Sequence, residues 1–430
     1  MPEQKKAVVP RLRFPEFRDA GPWEVKRLGG MLAQPPEYGV NAPAVPFSTD
    51  LPTYLRITDI TETGQLNKEN LASVDINAQD AHYLSEGDIV LARTGASVGK
   101  SYKYRPEDGK LVFAGYLIRV RPKQQRLNSG FLAHYLLTGP YWRWVETVSA
   151  RSGQPGVNGT QFAQMPVPLP GLSEQQKIAD CLSSLDELIE LEAKKLEALQ
   201  AHKKGLMQQL FPREGETTPR LRFPEFRDAG PWEVKRLGEI VEIINERAGD
   251  KKCTLLSVTA GIGLVSQVEK FGCEIAGKQR RNYFILRKND FAYNKSSTKD
   301  YPEGYIGLYE GDEIAAVPNS IFVCFRPAQE KVVPRYLRFL FEINVHGRWM
   351  RRFITVGARA HGSLNIDNHD LLHIPIPLPA TAVSIPEQQK IADCLSSLDE
   401  LIELQAKQLE ALKAHKKGLM QQLFPQEIDP

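Results

Sequence analysis

No run of about 18 consecutive apolar residues occurs in this 430-residue chain, so no segment qualifies as a membrane-spanning helix. The opening MPEQKKAVVP lacks the apolar stretch of a secretory signal. Together these predict a cytoplasmic protein with no membrane partner. Cysteine is scarce, at five residues, and none stands in CxxC spacing. A disulfide framework or a zinc ribbon is therefore not expected, and Cys181, Cys253, Cys273, Cys324 and Cys394 read as free thiols. Net charge is only +3, too little for general polyanion stickiness. Catalytic signatures are missing as well: HExxH, GxSxG, GxGxxG after a strand, and the Asn-Pro-Pro-aromatic tetrad of adenine methyltransferases. GASVGKS at Gly95 to Ser101 comes near a phosphate-binding loop, but Thr94 stands where that loop needs glycine. His369 and His373 are spaced i, i+4 beside prolines, and a surface pair outweighs a metal site there.

What the chain has in abundance is itself. PRLRFPEFRDAGPWEVKRLG runs from Pro10 to Gly29 and returns unchanged from Pro219 to Gly238. The block Glu174 to Pro212 recurs from Glu387 to Pro425 with three changes, Glu192 to Gln405, Lys195 to Gln408 and Gln200 to Lys413. The stretches between the copies, roughly 30 to 165 and 239 to 373, share little sequence. Each half thus sets one frame around a different insert, so function must use both the sameness and the difference.

Within the second block apolar residues alternate at spacings of four and three, the mark of a heptad seam. The seam is Ile178, Leu182, Leu185, Ile189, Leu196 and Leu199 in one copy, and Ile391, Leu395, Leu398, Ile402, Leu409 and Leu412 in the other. Ser173 and Pro386 look like starts, Pro212 and Pro425 like stops. Each helix would be about 36 residues, roughly 54 Å long. A narrow apolar stripe needs a partner, and the obvious one is its own copy. The heptads alone permit a parallel pair; an approximate two-fold relation between the halves favours an antiparallel one. Polar residues interrupt the seam at Glu192 and Lys203, and at Gln405 and Lys416. Such positions fix register.

Each insert reads as mixed helix and strand. In the first, Gly87 to Leu91 and Leu111 to Val120 are strand-like and Ser129 to Val148 helical. In the second, Asp290 to Tyr293, Tyr305 to Leu308 and Ile321 to Arg326 suggest strands, and Pro334 to Ile354 a helix broken near Gly347. Each closes on a glycine-containing loop, Ala150 to Phe162 and Ala358 to Asp370, that leads into PVPLP at Pro166 or PIPLP at Pro375. Basic residues gather locally: nine against two acidic ones in Arg93 to Arg126, seven against one in Lys278 to Lys299, and four against none in Arg348 to Arg359. Local clusters on a nearly neutral chain suggest a local anionic partner.

The duplicated entry LRFPEF…W…LG, the segment GDIVLARTGASVGK at Gly87 to Lys100 with its counterpart LRKNDFAYNKS at Leu286 to Ser296, and the twice-used exit PLP…EQQKIADCLSSLDELI carry a resemblance. In this order, over nearly the whole length, the chain resembles the specificity subunit of type I restriction-modification systems. The resemblance implies an α+β fold: two mixed α/β target-recognition domains separated by two long antiparallel coiled-coil helices, with a pseudo-two-fold internal repeat. It places recognition domains at 1–172 and 213–385, a first spacer helix at 173–212, and a second with the tail at 386–430. It further implies a non-catalytic subunit that reads a bipartite, asymmetric double-stranded DNA target, one half-site per domain, with the helices as a ruler. Two methyltransferase subunits and further restriction subunits would dock on it, bringing S-adenosylmethionine, ATP and Mg; this chain would hold no cofactor or metal.

Physical reasoning then selects side chains able to hold phosphates or reach base edges. In the first insert these are Arg93, Thr94, Ser97, Lys100, Lys103 and Arg105, with Arg151, Ser152 and Gln154 in the closing loop. In the second they are Arg280, Arg281, Asn294, Lys295, Ser296, Ser297 and Lys299, with Arg359 and His361. A rod of about 54 Å, less the overlap of the domains, predicts half-site centres about one to one and a half DNA turns apart. Two rivals remain: a protein-interaction scaffold without intrinsic DNA specificity, and a single-chain DNA-modifying enzyme, which the missing motifs disfavour.

Overall fold

The computed structural model describes residues 8–150, 155–259, 263–275, 278–296, 298, 301–352, 364 and 366–427. The chain forms two compact units, Met1–Ala193 with Lys407–Pro430, and Lys194–Ala406. These divisions fall inside the two long helices, Leu172–Leu210 and Ser384–Leu423, whereas the sequence-based boundaries follow their ends. Each unit takes one part of each helix.

In the first unit one sheet has the strand order Glu37–Tyr38, Leu117–Val120, Ile89–Ala92, Ser101–Lys103. A second has Ala44–Pro46, Ala72–Val74, Thr53–Leu55, Leu111–Phe113. The apolar run Ile89–Ala92 is buried on both faces because the sheet lies between two cores. Ile89 and Leu91 pack toward the helices Ser129–Tyr135 and Gly139–Ser149, and Val90 and Ala92 toward the second sheet. The second unit repeats the plan. One sheet has the order Val241–Ile243, Phe322–Pro327, Phe291–Asn294, Tyr305–Leu308. The other has Gly263–Ser266, Thr254–Thr259, Ala315–Val317, Phe284–Leu286.

Several elements differ from the sequence reading. Leu111 to Val120 is two strands in different sheets, parted where Leu117 N–H donates to Ala114 O at 2.8 Å. Ser129 to Val148 is two helices, because Pro140 fits only the first turn of a new one. Pro334 to Ile354 breaks at Asn344, not Gly347: Asn344 has φ 59° and its side chain caps Val345–Met350 through Gly347 N–H. The sequence reading does not separate out the second sheet of each unit; all four of its strands in the first unit, and two of four in the second, are only three residues long.

Identical sequence makes identical contacts. The entry strand Glu24–Arg27 pairs antiparallel with the exit strand Pro166–Leu169, and Glu233–Arg236 pairs with Pro375–Leu378 in the same register. Alternating prolines suit a two-stranded ribbon, whose outward positions need no donor. Arg13 forms a fork with Glu174 at 2.7 and 2.6 Å and donates to Gly21 O. Arg222 does the same with Glu387, at 2.8 and 2.7 Å, and with Gly230 O. Gln175 and Gln388 each accept the backbone N–H that opens a domain helix, at Asn128 and Val333. These pairs clasp the entry block and the insert onto the start of each long helix.

Within each unit the helices run antiparallel. In the first, Lys416 meets Asp186 at 2.5 Å while Leu423 and Phe424 join the core of Ile178 and Leu182. In the second, Lys203 meets Asp399 at 2.6 Å while Leu210 and Phe211 join Ile391 and Leu395. Ile178, Leu182, Ile391, Leu395 and Leu409 are buried, and Leu185, Ile189, Leu196, Leu199, Leu398, Ile402 and Leu412 are half-buried. Seam lysines therefore face acids of the facing helix, which ties register to charge. No helix among the described residues is long and apolar enough to cross a membrane.

Candidate nucleic-acid interface

A buried carboxylate organises each insert. Asp88 accepts the Ser85 N–H at 3.0 Å and a fork from Arg121 at 2.7 and 3.1 Å; Asp290 accepts the Arg287 N–H at 2.7 Å and a fork from Arg326, both arms 2.7 Å. From this anchor the strands Ile89–Ala92 and Phe291–Asn294 run outward and end on a cation, Arg93 or Lys295. The same backbone bonds hold both. Arg93 N–H donates to Tyr116 O and its carbonyl accepts from Val157 N–H at 2.9 Å. Lys295 N–H donates to Ile321 O and its carbonyl accepts from Leu364 N–H at 2.8 Å.

In the first unit the turn after Arg93 requires glycine. Gly99 has φ +88°, and an added Cβ would lie 2.9 Å from Val145 and 3.2 Å from Trp142. Its carbonyl accepts from the Tyr141 hydroxyl at 2.6 Å. The closing loop returns across this turn, with Thr94 bridged to Gly156 and Gly95 N–H donating to Pro155 O. Arg93 lies over the Tyr38 ring at 5.0 Å, and the Tyr38 hydroxyl accepts from Gly159 N–H at 3.0 Å. Stacking fixes the guanidinium plane while leaving its edge donors available. Arg93, Thr94, Val148, Gly156, Val157, Asn158 and Gln161 line an open concavity of about 290 Å³.

The structure thus brings Arg93 and Thr94 together with the closing loop; Ser97 and Lys100 follow in the same turn, where Lys100 is paired with Glu62 at 2.7 Å. Lys103 lies opposite Ile89, at the other end of the strand from Arg93. Arg105 is held there by Asp108 at 3.1 Å and by Glu190 of the long helix at 3.3 Å. These two do not join the Arg93 group. In the second unit Asn294 and Ser296 flank Lys295, with the Asn294 side chain accepting Ser296 N–H at 2.9 Å. Arg280 and Arg281 sit instead in the turn Lys278–Asn282 leading to the other sheet, where Arg281 pairs with Asp250. Arg151, Ser152, Gln154, Ser297, Lys299, Arg359 and His361 lie outside the described residues.

Much of the apparent basic excess is structural. Arg119 pairs with Glu37, Arg121 with Asp88, Arg348 with Glu214 and Arg351 with Glu303. Sequence reasoning missed Tyr38, 55 positions before Arg93, which no local pattern ties to it. It also missed Asn158 and Gln161, although N-x-x-Q is a readable capping signature. Asp367, His369 and Asp370 bring three ligand-type atoms within 4.8 Å of one another. His373 is committed elsewhere: its Nδ1 is 2.7 Å from His369 O and its Nε2 3.2 Å from Arg236. A larger cavity of the second unit, about 1140 Å³, is lined by the long helix, the segment 211–216 and Val345–Met350, and by none of the sequence-predicted DNA residues.

The model of the type I restriction modification DNA specificity domain matches residues 22–201 and again 230–414, one match per repeat. The chain belongs to this specificity family. Among curated relatives, the MjaVIII specificity subunit of Methanocaldococcus jannaschii is 23% identical, over 97% of this chain and 94% of the relative. The EcoKI specificity subunit of Escherichia coli K12 is 29% identical over 130 residues, 29% of this chain and 27% of the relative. The crystal structure of the type I S subunit from M. genitalium superposes with a TM-score of 0.59 at 14% identity, covering 98% of this chain and all of that one. The chain is therefore a type I specificity subunit, a non-catalytic component of an enzyme whose chemistry sits in partner subunits. In this specificity subunit the family match spans the inserts and most of both helices, and the paired Arg93 and Lys295 sites lie inside the two matched segments.

Proposed function

We propose that this specificity subunit reads a bipartite, asymmetric duplex DNA target, each insert reading one half-site. The observation carrying this is the equivalence of Arg93 and Lys295: a cation at a strand end, held by the same two backbone bonds, beside loops that share little sequence. Cations at a fixed place can position a phosphate backbone, while divergent loops supply different base contacts. The duplicated helices dock two methyltransferase subunits and, beyond them, restriction subunits. Leu191 and Leu404, the same position of the repeated helix, are each 63% exposed, an apolar contact offered twice. S-adenosylmethionine, ATP and Mg belong to those partners.

Duplex binding across a salt series, with the methyltransferase partner present, tests the reading. Affinity for a single bipartite sequence should fall steeply as salt rises. Exchanging residues 239 to 373 for another insert should change one half-site only. Salt-independent binding, or none, would favour a protein scaffold.

A further inference from the structure

Equivalent positions of the two inserts present opposite hydrogen-bonding polarity. In the first, the Asn158 N–H donates to Gln161 Oε1 at 2.8 Å and the Gln161 N–H donates to Asn158 Oδ1 at 2.9 Å. A backbone N–H can only donate, so each side-chain oxygen already accepts one bond and the orientation of both amides is fixed. What remains at the Arg93 concavity is two NH2 groups beside a guanidinium, and no described residue accepts from those NH2 groups. Thr94, which also lines the concavity, adds a hydroxyl that donates or accepts, so side-chain donors predominate on this wall.

The second insert places acids there. Asp367 caps the corresponding short helix by accepting the Asp370 N–H at 2.8 Å. Two flanking contacts establish the correspondence. Gly29 packs on Ala163 as Gly238 packs on Leu372, and Arg27 reaches Gln164 as Arg236 reaches His373. Asn158 therefore matches Asp367, and Gln161 matches Asp370. Ionised carboxylates only accept. Asp367 is exposed and Asp370 half-buried, and His369 Nδ1 lies 3.8 Å from Asp370. Beside a phosphate these charges repel; against an exocyclic amino group they gain.

Resting on the DNA-reading role proposed above, we infer that the two inserts select bases of opposite edge at this position. Asn158 and Gln161 take an acceptor edge, guanine O6 and N7 above all, while Arg93 beside them holds the backbone. Asp367 and Asp370 take an amino edge, cytosine N4 or adenine N6.

The test uses the full chain assembled with its methyltransferase subunits, selecting from randomised duplexes, followed by sequencing of the bound pool. Two variants are compared with the unmodified chain: N158D/Q161E and D367N/D370Q. Asn and Asp serve equally as caps, so both should fold, and the single changes Q161E and D370Q leave the cap residue untouched. The expected result for N158D/Q161E is a switch at one position of one half-site, from guanine to an amino-bearing base, by about 10- to 100-fold in relative selection. D367N/D370Q should make the converse switch in the other half-site. An unchanged motif, or affinity lost equally for all sequences, overturns the inference. So does a second-domain preference that disappears in EDTA, which would mean that Asp367, His369 and Asp370 hold a cation. If the unmodified complex selects no bipartite sequence at all, the DNA-reading role itself fails.

Discussion

At the residue scale the two units differ most instructively where their helices meet the inserts. His134 and Phe339 are equivalent, each six residues past a position whose N–H bonds the repeated glutamine. Phe339 lies under Lys203, a favourable use of a cation beside an aromatic ring. His134 is buried near Lys416 and Lys103, with Asp186 4.0 Å away and Ser183 at 3.3 Å. Burial first, and then those two lysines, push its pKa from 6.5 down to about 3. The imidazole is neutral in the fold but protonates in the unfolded chain, so acid favours unfolding. Stability from this group is intact above about pH 6.5 and is lost as pH falls toward about 3. Thermal unfolding of His134→Phe between pH 7.5 and 4 should show a shallower acid dependence, and a curve parallel to the unmodified chain would refute the assignment. His346, buried and lowered to about 4, adds the same trend in the second unit and is left intact by that change. The clasp gives a larger effect. Removing Glu387 strands the buried Arg222 guanidinium, so Glu387→Ala should cost about 3–5 kcal/mol in chemical denaturation.

At the scale of elements, the helices Leu172–Leu210 and Ser384–Leu423 are 39 and 40 residues, roughly 58–60 Å at 1.5 Å per residue. If helix length sets the distance between half-sites, inserting about four residues into both helices should lengthen the spacer found by methylome sequencing. A constant spacer would remove the ruler role. The helices were legible because a heptad repeated twice over so many residues has few other readings, and the strand Ile89–Ala92 because an apolar run between glycine-rich turns marks a doubly covered strand. The second sheets were not legible: strands such as Ala44–Pro46 and Thr53–Leu55 are too short for alternation to register. Nor was the true use of the charges. Arg105 and Arg121 look alike along the sequence, and only tertiary structure turns one toward Glu190 and the other onto Asp88. Of the candidate site, the strand-end cation was readable, whereas Tyr38, brought in by the pairing of Glu37–Tyr38 with Leu117–Val120, was not.

At the scale of the molecule, each unit is assembled from both halves of the sequence. Leu221 N–H donates to Gln209 O at 3.0 Å across a short linker, and Leu12 N–H makes the equivalent bond to Gln422 O at 2.9 Å with no such linker between them. The covalent connection at 211–219 is therefore dispensable to that contact. Residues 213–218 are exposed, so a protease site placed between Gly215 and Glu216 should be cut readily. The two fragments should then remain together in size-exclusion chromatography and select the same DNA; separation into independent pieces would show that the linker holds the two halves of the sequence together. The same construction orders events in time. Trp23, among the first residues of its core to leave a ribosome, packs against Phe424, 401 positions later in synthesis. At ordinary elongation rates that is a wait of about 20–80 seconds, during which the first core stands open on the side its last aromatic ring will close.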